Sequence, residues 1–340
     1  MKISQFVGSR VIKTGVAIFL TAWICELLNW PPVFAVITAI VTVEPTVSDS
    51  IKKGIIRFPA SAIGSAFAVF FISVFGDSPI TYTFAAVFTI AICFKLNLHA
   101  GLLVATLTSV AMVDVIHSNY LISFFIRLGT TTVGLLVSTA VNMFVLPPHY
   151  TKEISKSVQT TAKDTGILIK KIFFGILDKS TDENTNKQEM ILKLDKKSDR
   201  TEKLVQFQKD ESKFHPLVGS EQATFLGTEK QLAVLRMIQY HLDNVLNTQM
   251  LDISWSQDER NMILTAVNEL AASLQNPTDY NENKHQIQLN LLMKQFWEDN
   301  GDITTNNEHH PTHFTPELII LYELVSISNL VTKFCHCMDE

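Results

Sequence analysis

Charge is what the first part of this 340-residue chain lacks. Residues 1–146 hold 8 Lys/Arg and 5 Asp/Glu, net +3, whereas the remainder holds 20 Lys/Arg and 28 Asp/Glu, net −8. A stretch so poor in charge and so rich in Phe, Val and Ile has too little polar surface for water, which excludes a single soluble globular enzyme. Cysteine is also scarce. Of the four, Cys25 and Cys93 lie inside apolar runs, which excludes a secreted disulfide scaffold. An isoelectric point near 6.1 leaves no basic footprint, so no nucleic-acid partner is expected. Val218-Gly219-Ser220 lacks the glycine-rich length and the lysine of a phosphate loop, and no other nucleotide signature occurs. ATP-driven transport by this chain alone is therefore not expected. No Ser-His-Asp or Cys-His grouping stands out, so enzyme activity is the least expected class, and no cofactor is expected. Cys335-His336-Cys337 with His309, His310 and His313 has the wrong cysteine spacing for a structural zinc site, which prefers two to four intervening residues. No metal is expected there.

What the first half does contain is a series of apolar stretches. The hydrocarbon core of a bilayer is about 30 Å thick, so roughly 18 or more apolar residues read as a spanning helix. Six spans are predicted: Val11–Leu28, Pro31–Val47, Ile55–Phe75, Ile80–Phe94, Leu98–Ile116 and Leu121–Leu146. The second and fourth are short. Gly76–Pro79 and His117–Tyr120 are brief connections that force neighbouring helices antiparallel. The first stretch carries Lys13 and Glu26 and is followed by further spans, so it reads as retained and not as a cleaved signal. Lys2, Arg10, Lys13, Lys52, Lys53, Arg57, Lys95, Lys152 and Lys156 all fall on one side, whereas the opposite connections hold Asn29, Trp30, Asp77 and His117 and no Lys or Arg. Lys and Arg concentrate in cytoplasmic loops. The expectation is a multi-pass protein with N-terminus and C-terminal domain both cytoplasmic.

A shift of 70 residues superposes three spans on three. Arg57-Phe-Pro-Ala-Ser-Ala-Ile-Gly64 falls on Arg127-Leu-Gly-Thr-Thr-Thr-Val-Gly134, which sets Ser61 on Thr131. Thr38 falls on Thr108, Val43 on Val113 and Glu44 on Asp114, while the first and fourth spans match poorly. Three is odd, so the second copy enters the membrane upside down. Such inverted repeats recur in secondary transporters, with the binding site where the repeats meet. Pro45 and Asp114 interrupt corresponding spans, which makes these candidates for discontinuous helices. Arg127 lies about two turns inside the sixth span, where a cation facing lipid costs on the order of 3 kcal/mol or more. One reading is a structural ion pair, with Asp114 as partner, or snorkelling to the interface. The other is that Arg57 and Arg127 attract anions, since a planar guanidinium can donate two parallel hydrogen bonds to a carboxylate. Thr38, Thr108 and Thr131 are further candidates for lining such a path. Glu44 and Asp114 read either as proton carriers or as helix-end charges in interfacial water. Lys13 and Glu26 read as snorkelling. Gly64 and Gly134, with Ala60 and Thr130, recur at helical spacing and read as packing residues that permit close helix approach beside the arginines.

From Tyr150 onward the apolar period is near 3.6, predicting helices over Lys152–Leu177, Lys187–Lys213, Glu229–Met250, Ser256–Leu274, Lys284–Trp297 and Pro316–Met338, with a polar linker at Asp178–Asn186. Leu232, Leu235, Ile238, Leu242, Val245 and Leu246 form one apolar face, the mark of an antiparallel bundle. The sixth span is expected to continue through Pro147-Pro148 into the first of these helices. The fold class is thus all-α: a six-helix transmembrane domain with an inverted three-plus-three repeat over 1–149, then a cytoplasmic helical bundle over 150–340.

The six-span unit with Arg-x6-Gly in spans three and six, followed by Leu-Pro-Pro and a helical domain containing His215-Pro-Leu-Val-Gly, resembles the aromatic acid exporter family of Gram-positive bacteria. That family is related to fusaric acid resistance proteins and, more distantly, to plant aluminium-activated malate transporters. The resemblance implies export or conductance of small organic anions across the bacterial cell membrane, in contact with membrane lipid, and a homodimer. It also implies a pore lined by arginines, with Arg57 and Arg127 at the matching positions. Export of aromatic carboxylates driven by proton motive force is the first expectation. An anion channel of malate-transporter type and a membrane-anchored scaffold with a partner-binding bundle are the alternatives.

Overall fold

The computed structural model describes residues 8–115, 119–177, 184–248, 253–306 and 314–337. Lys2, His117, the 178–183 part of the linker, Met250, His309, His310 and His313 fall outside the described residues. Within them every regular element is helical. In order, the α-helices are α1 (Ser9–Leu27), α2 (Pro32–Thr42), α3 (Val47–Phe75), α4 (Pro79–Lys95), α5 (Leu102–Val115), α6 (Tyr120–Phe144), α7 (Thr151–Leu177), α8 (Asn184–Glu211), α9 (Ser220–Asn247), α10 (Gln257–Gln275), α11 (Glu282–Asn306) and α12 (Pro316–His336). The chain divides into two compact units: Met1–His149 with Phe207–Pro216, and Tyr150–Gln206 with Leu217–Glu340.

In the first unit the expected spans correspond to six helices of unequal length. Only α3 and α6 of these are long and apolar enough to cross a membrane by length and composition. α1 has 19 residues but carries Arg10, Lys13 and Glu26. α2 is cut to 11 residues because the residue before a proline is pushed out of the helical region. Pro45 sets that limit, and Val43 is already extended with ψ 97°. α4 and α5 are apolar and short, with a 3-10 turn at His99–Gly101 leading into α5. Caps define the breaks: Thr46 Oγ1 accepts from Asp49 N at 3.1 Å to start α3, and Ser78 precedes the first-turn Pro79 of α4.

The packing of these helices repeats with the 70-residue spacing. α3 packs on α5 and α6 on α2; α3 packs on α4 and α6 on α1; α3 and α6 pack on each other. At the closest approaches a Cβ on Gly64 would fall under 3.0 Å from the Ala105 carbonyl, and one on Gly134 under 3.0 Å from the Ala35 carbonyl. Those two contacts exchange when 70 is added to one partner and subtracted from the other. Between α3 and α6, Ser61 Oγ and Thr131 Oγ1 lie 3.2 Å apart, 70 positions apart in sequence.

The second unit is a helical bundle. α7 packs on α9 and α10, α9 on α12, and α11 on α10 and α12. Its core is the apolar stripe of each: Ile169 and Phe173 from α7, Leu235, Ile238 and Leu242 from α9, Ile263 and Leu274 from α10, all fully buried. α12 is the third helix apolar and long enough to cross a membrane, and here Ile320, Leu321, Leu324 and Ile327 are spent on that core. α10 starts with a reciprocal cap in which Ser256 Oγ accepts from Glu259 N and Glu259 Oε2 accepts from Ser256 N. α9 begins nine residues before the expected Glu229. The helix expected to run through Pro147-Pro148 is interrupted: α6 ends at Phe144, Leu146 has φ +50°, and α7 starts at Thr151. Two prolines lack the N–H groups that a continuing helix needs.

Candidate functional site

The two arginines of the repeat are both buried, Arg57 at 5% exposure and Arg127 at 3%, but their surroundings differ. Arg57 Nη2 donates to Glu44 Oε1 at 2.7 Å, and its Nε donates to the Ala100 carbonyl at 3.2 Å. Lys53 Nζ reaches the other Glu44 oxygen at 2.9 Å. One carboxylate thus sits between two cations. The break after α2 makes this possible: with Val43 extended, the chain turns Glu44 back toward α3, where Lys53 and Arg57 lie one turn apart.

Arg127 has no acidic partner among the described residues. Its Nη2 donates to Thr108 Oγ1, and its Cζ lies 4.4 Å from the centre of the Phe34 ring. Nε and Nη1 are buried without a hydrogen-bond partner. An unpaired buried donor on a charged group is costly, so its persistence calls for an explanation. Beside it is a cavity of about 190 Å³ lined by Pro31, Phe34, Met112, Ser123, Ile126, Arg127 and Thr130. Sites for drug-sized ligands run to roughly 300–1,000 Å³, so this chamber suits something nearer one ring in size.

The remaining predicted residues fall around these two centres. Thr108 is the hydrogen-bond partner of Arg127. Thr131 Oγ1 donates to the Arg127 carbonyl at 2.9 Å and meets Ser61 on α3. Thr38 is fully buried and donates to the Phe34 carbonyl at 2.9 Å, packed beside Gly134. Gly64 and Gly134 are the points of closest helix approach. Glu44 joins Arg57 and is remote from Arg127. Asp114, weighed as an ion-pair partner for Arg127, instead accepts a hydrogen bond from the Tyr82 hydroxyl on α4. α5 stays helical through Val115, the position 70 after Pro45, so Asp114 stays on the helix instead of turning inward.

Several contributors were not singled out in the sequence. Phe34 lies four residues before Thr38 and shares its helix face, a signal that was available. Lys13, read as snorkelling, is buried and donates to Asn142 Oδ1 at 2.8 Å. Asn142 Nδ2 in turn donates to the carbonyls of Glu44 and Thr46 and to Ser50 Oγ, so the peptide between α2 and α3 is held by a side chain of α6. Glu211 accepts from Val47 N at 3.0 Å and from His215 Nδ1 at 2.7 Å. Among the described residues no group of three or more His, Cys, Asp or Glu side chains is placed to hold a metal ion.

Residues 5–145, the helices that carry both arginines, match the family model described as aromatic acid exporter family member 1. Over nearly the whole chain there are similar proteins in Bacillus and its relatives. A UPF0421 protein of Oceanobacillus iheyensis is 49% identical over 335 residues, 98% of this chain and 96% of the relative. A UPF0421 protein of Bacillus cereus is 41% identical over 344 residues, 99% and 95% of the two chains. One from Staphylococcus saprophyticus is 36% identical over 329 residues, 94% and 96%. The match to an exporter family together with apolar helices suggests a membrane transporter. By these identities over nearly its whole length the chain belongs to the UPF0421 proteins, and its residues 5–145 match the aromatic acid exporter family model.

Proposed function

We propose that this protein exports small aromatic carboxylates across the bacterial cell membrane and that Arg127 is the residue that receives the carboxylate. The observation that carries the reading is the contrast between the arginines. Arg57 is neutralised by Glu44 and leaves one buried nitrogen, Nη1, without a partner, while Arg127 has no acid among the described residues and leaves two, Nε and Nη1, beside a 190 Å³ cavity. The cavity supplies what a one-ring acid needs: a charged fork for the carboxylate and the walls of Phe34, Met112 and Ile126 for the ring. On this reading α1 to α6 cross the membrane as an inverted repeat, supported by the exchange of contacts around Gly64 and Gly134. The N-terminus and the second unit lie on the cytoplasmic side, a reading that the placement of Lys and Arg supports. The protein works as a homodimer driven by proton motive force. Of the two candidate proton carriers, Glu44 and Asp114, Asp114 is the one not committed to a cation.

The experiment is flux of radiolabelled benzoate in proteoliposomes holding the full-length protein. Arg127→Ala abolishes it, and Arg127→Lys, which keeps the charge and loses the fork, retains a small fraction. Undiminished flux in Arg127→Ala removes this residue from the pathway. Steady currents in planar bilayers without a proton gradient would assign the same path to a channel.

A further inference from the structure

Tyr82 has no place in the site as described, yet it takes the one acid that could neutralise Arg127. The argument begins with spacing. Glu44 lies 13 positions before Arg57, and Asp114 lies 13 positions before Arg127. In the first copy the acid is on the arginine: Glu44 Oε1 takes the Nη2 hydrogen, and the Ala100 carbonyl takes that of Nε. In the second copy both interactions are missing. Nη2 turns to Thr108, and Nε is unpartnered. The acid has not been lost from the sequence; it has been drawn elsewhere, onto the Tyr82 hydroxyl.

The backbone explains how. Pro45 ends α2 at Thr42 and obliges the chain to turn Glu44 inward. Val115 stands at the matching position of the second copy, and α5 is helical through Asp114 and Val115, with Asp114 on its outer side. Thr108 and Met112 face Arg127 from the same helix, one turn apart, so unwinding only the final turn of α5 would give Asp114 the geometry that Glu44 already has. The Tyr82 hydroxyl, which also faces Asp77, is the partner that keeps the carboxylate on the far side.

We propose that Tyr82 is a positioning residue for anion binding: it holds Asp114 away from Arg127, and the transported carboxylate and the Asp114 carboxylate are alternative partners of one guanidinium. The site is open to an anion while Asp114 is on Tyr82 and closed to it when Asp114 moves to Arg127. This rests on the reading of Arg127 as the anion-binding residue. Competition of this kind gives the site a way to release its cargo without leaving a bare cation inside the protein.

The test is equilibrium binding of benzoate to the purified full-length protein by calorimetry. Tyr82→Phe keeps the ring and frees Asp114, so the dissociation constant rises by about tenfold, the equivalent of one charge-assisted hydrogen bond. Adding Asp114→Asn to Tyr82→Phe removes the competitor and brings affinity back to that of the unmodified protein. Asp114→Asn alone does not weaken binding. An unchanged constant in Tyr82→Phe, a loss that Asp114→Asn fails to reverse, or weakened binding in Asp114→Asn alone overturns the proposal. Arg127→Ala in the same assay separates the two levels. Benzoate binding that survives it removes the anion site itself, whereas its loss alongside normal binding by Tyr82→Phe leaves the site standing and removes only the role of Tyr82.

Discussion

Glu44→Gln is the substitution that separates the two arginines most cleanly. The Glu44 side chain is 11% exposed and contacts Arg57, whose side chain is 7% exposed, and Lys53, at 37%. Removing one partner of a buried pair costs about 3–5 kcal/mol, because the other charge is left desolvated. Two features lower that here. Gln keeps a carbonyl oxygen that can still accept from Arg57, and Lys53 can turn to water. Arg57 also retains the Ala100 carbonyl. The net loss is about 2 kcal/mol, which for a unit of this size lowers its Tm by about 4–8 °C. The chain has two units, so a probe confined to the first is needed. Cys25 and Cys93 are fully buried in the first unit. Their reaction with a maleimide dye on heating reports it alone, provided Cys335 and Cys337 are replaced by Ser. Asp114→Asn is the control: an exposed carboxylate bonded to a hydroxyl, with a cost of about 0.5 kcal/mol or less. Equal shifts for the two variants would refute the claim that one acid neutralises a buried arginine and its counterpart does not.

Two further outcomes follow from the packing and from burial. Gly64→Ala and Gly134→Ala each drive a methyl group into a backbone carbonyl of the neighbouring helix and cost about 1–3 kcal/mol in the same assay. Gly15→Ala meets nothing within 4 Å and is neutral or stabilising by up to about 1 kcal/mol; a matching loss there would mean that helix propensity and not contact governs the glycines. In the second unit, burial holds the His285 pKa below its usual value, with Nε2 set against the Ser328 carbonyl at 3.1 Å. The unfolded chain then binds the proton more readily. Stability from this group is complete above about pH 6.5 and falls as the pH drops toward the lower folded value, by at most about 1.4 kcal/mol per unit. His285→Gln flattens that acid limb in thermal melts between pH 7 and 5; an unaltered limb would assign it to other groups.

The bundle was readable because its helices carry regular apolar stripes. α10 and α12 begin and end within two residues of the positions set by periodicity and by Ser256 and Pro316. The start of α9 was not readable, since Glu221-Gln222-Ala223-Thr224 carries no apolar period of its own. In the first unit Pro45 announced the end of α2, but nothing in the sequence said that the turn would place Glu44 on Arg57. The same limit applies to Asp114. Thirteen residues of spacing to an arginine can mean an ion pair or not, depending on whether the intervening helix persists to its end. Glu211 lies 164 positions from Val47, and a contact at that separation leaves no local trace. The repeat itself was legible at Arg57 and Arg127 because a charged residue inside an apolar stretch marks its register. It was illegible between α1 and α4, where Lys13 and Glu26 of α1 correspond to Thr83 and Leu96 at the matching positions of the second copy.

The meeting of Ser61 with Thr131 has a mechanical corollary. Two residues at equivalent places in a duplicated unit can touch only where the axis relating the copies passes between them. A movement that trades the shape of one copy for that of the other leaves such an axis where it was. The hydroxyl pair therefore marks that axis, and an exchange of shape between the two copies would leave this one contact in place.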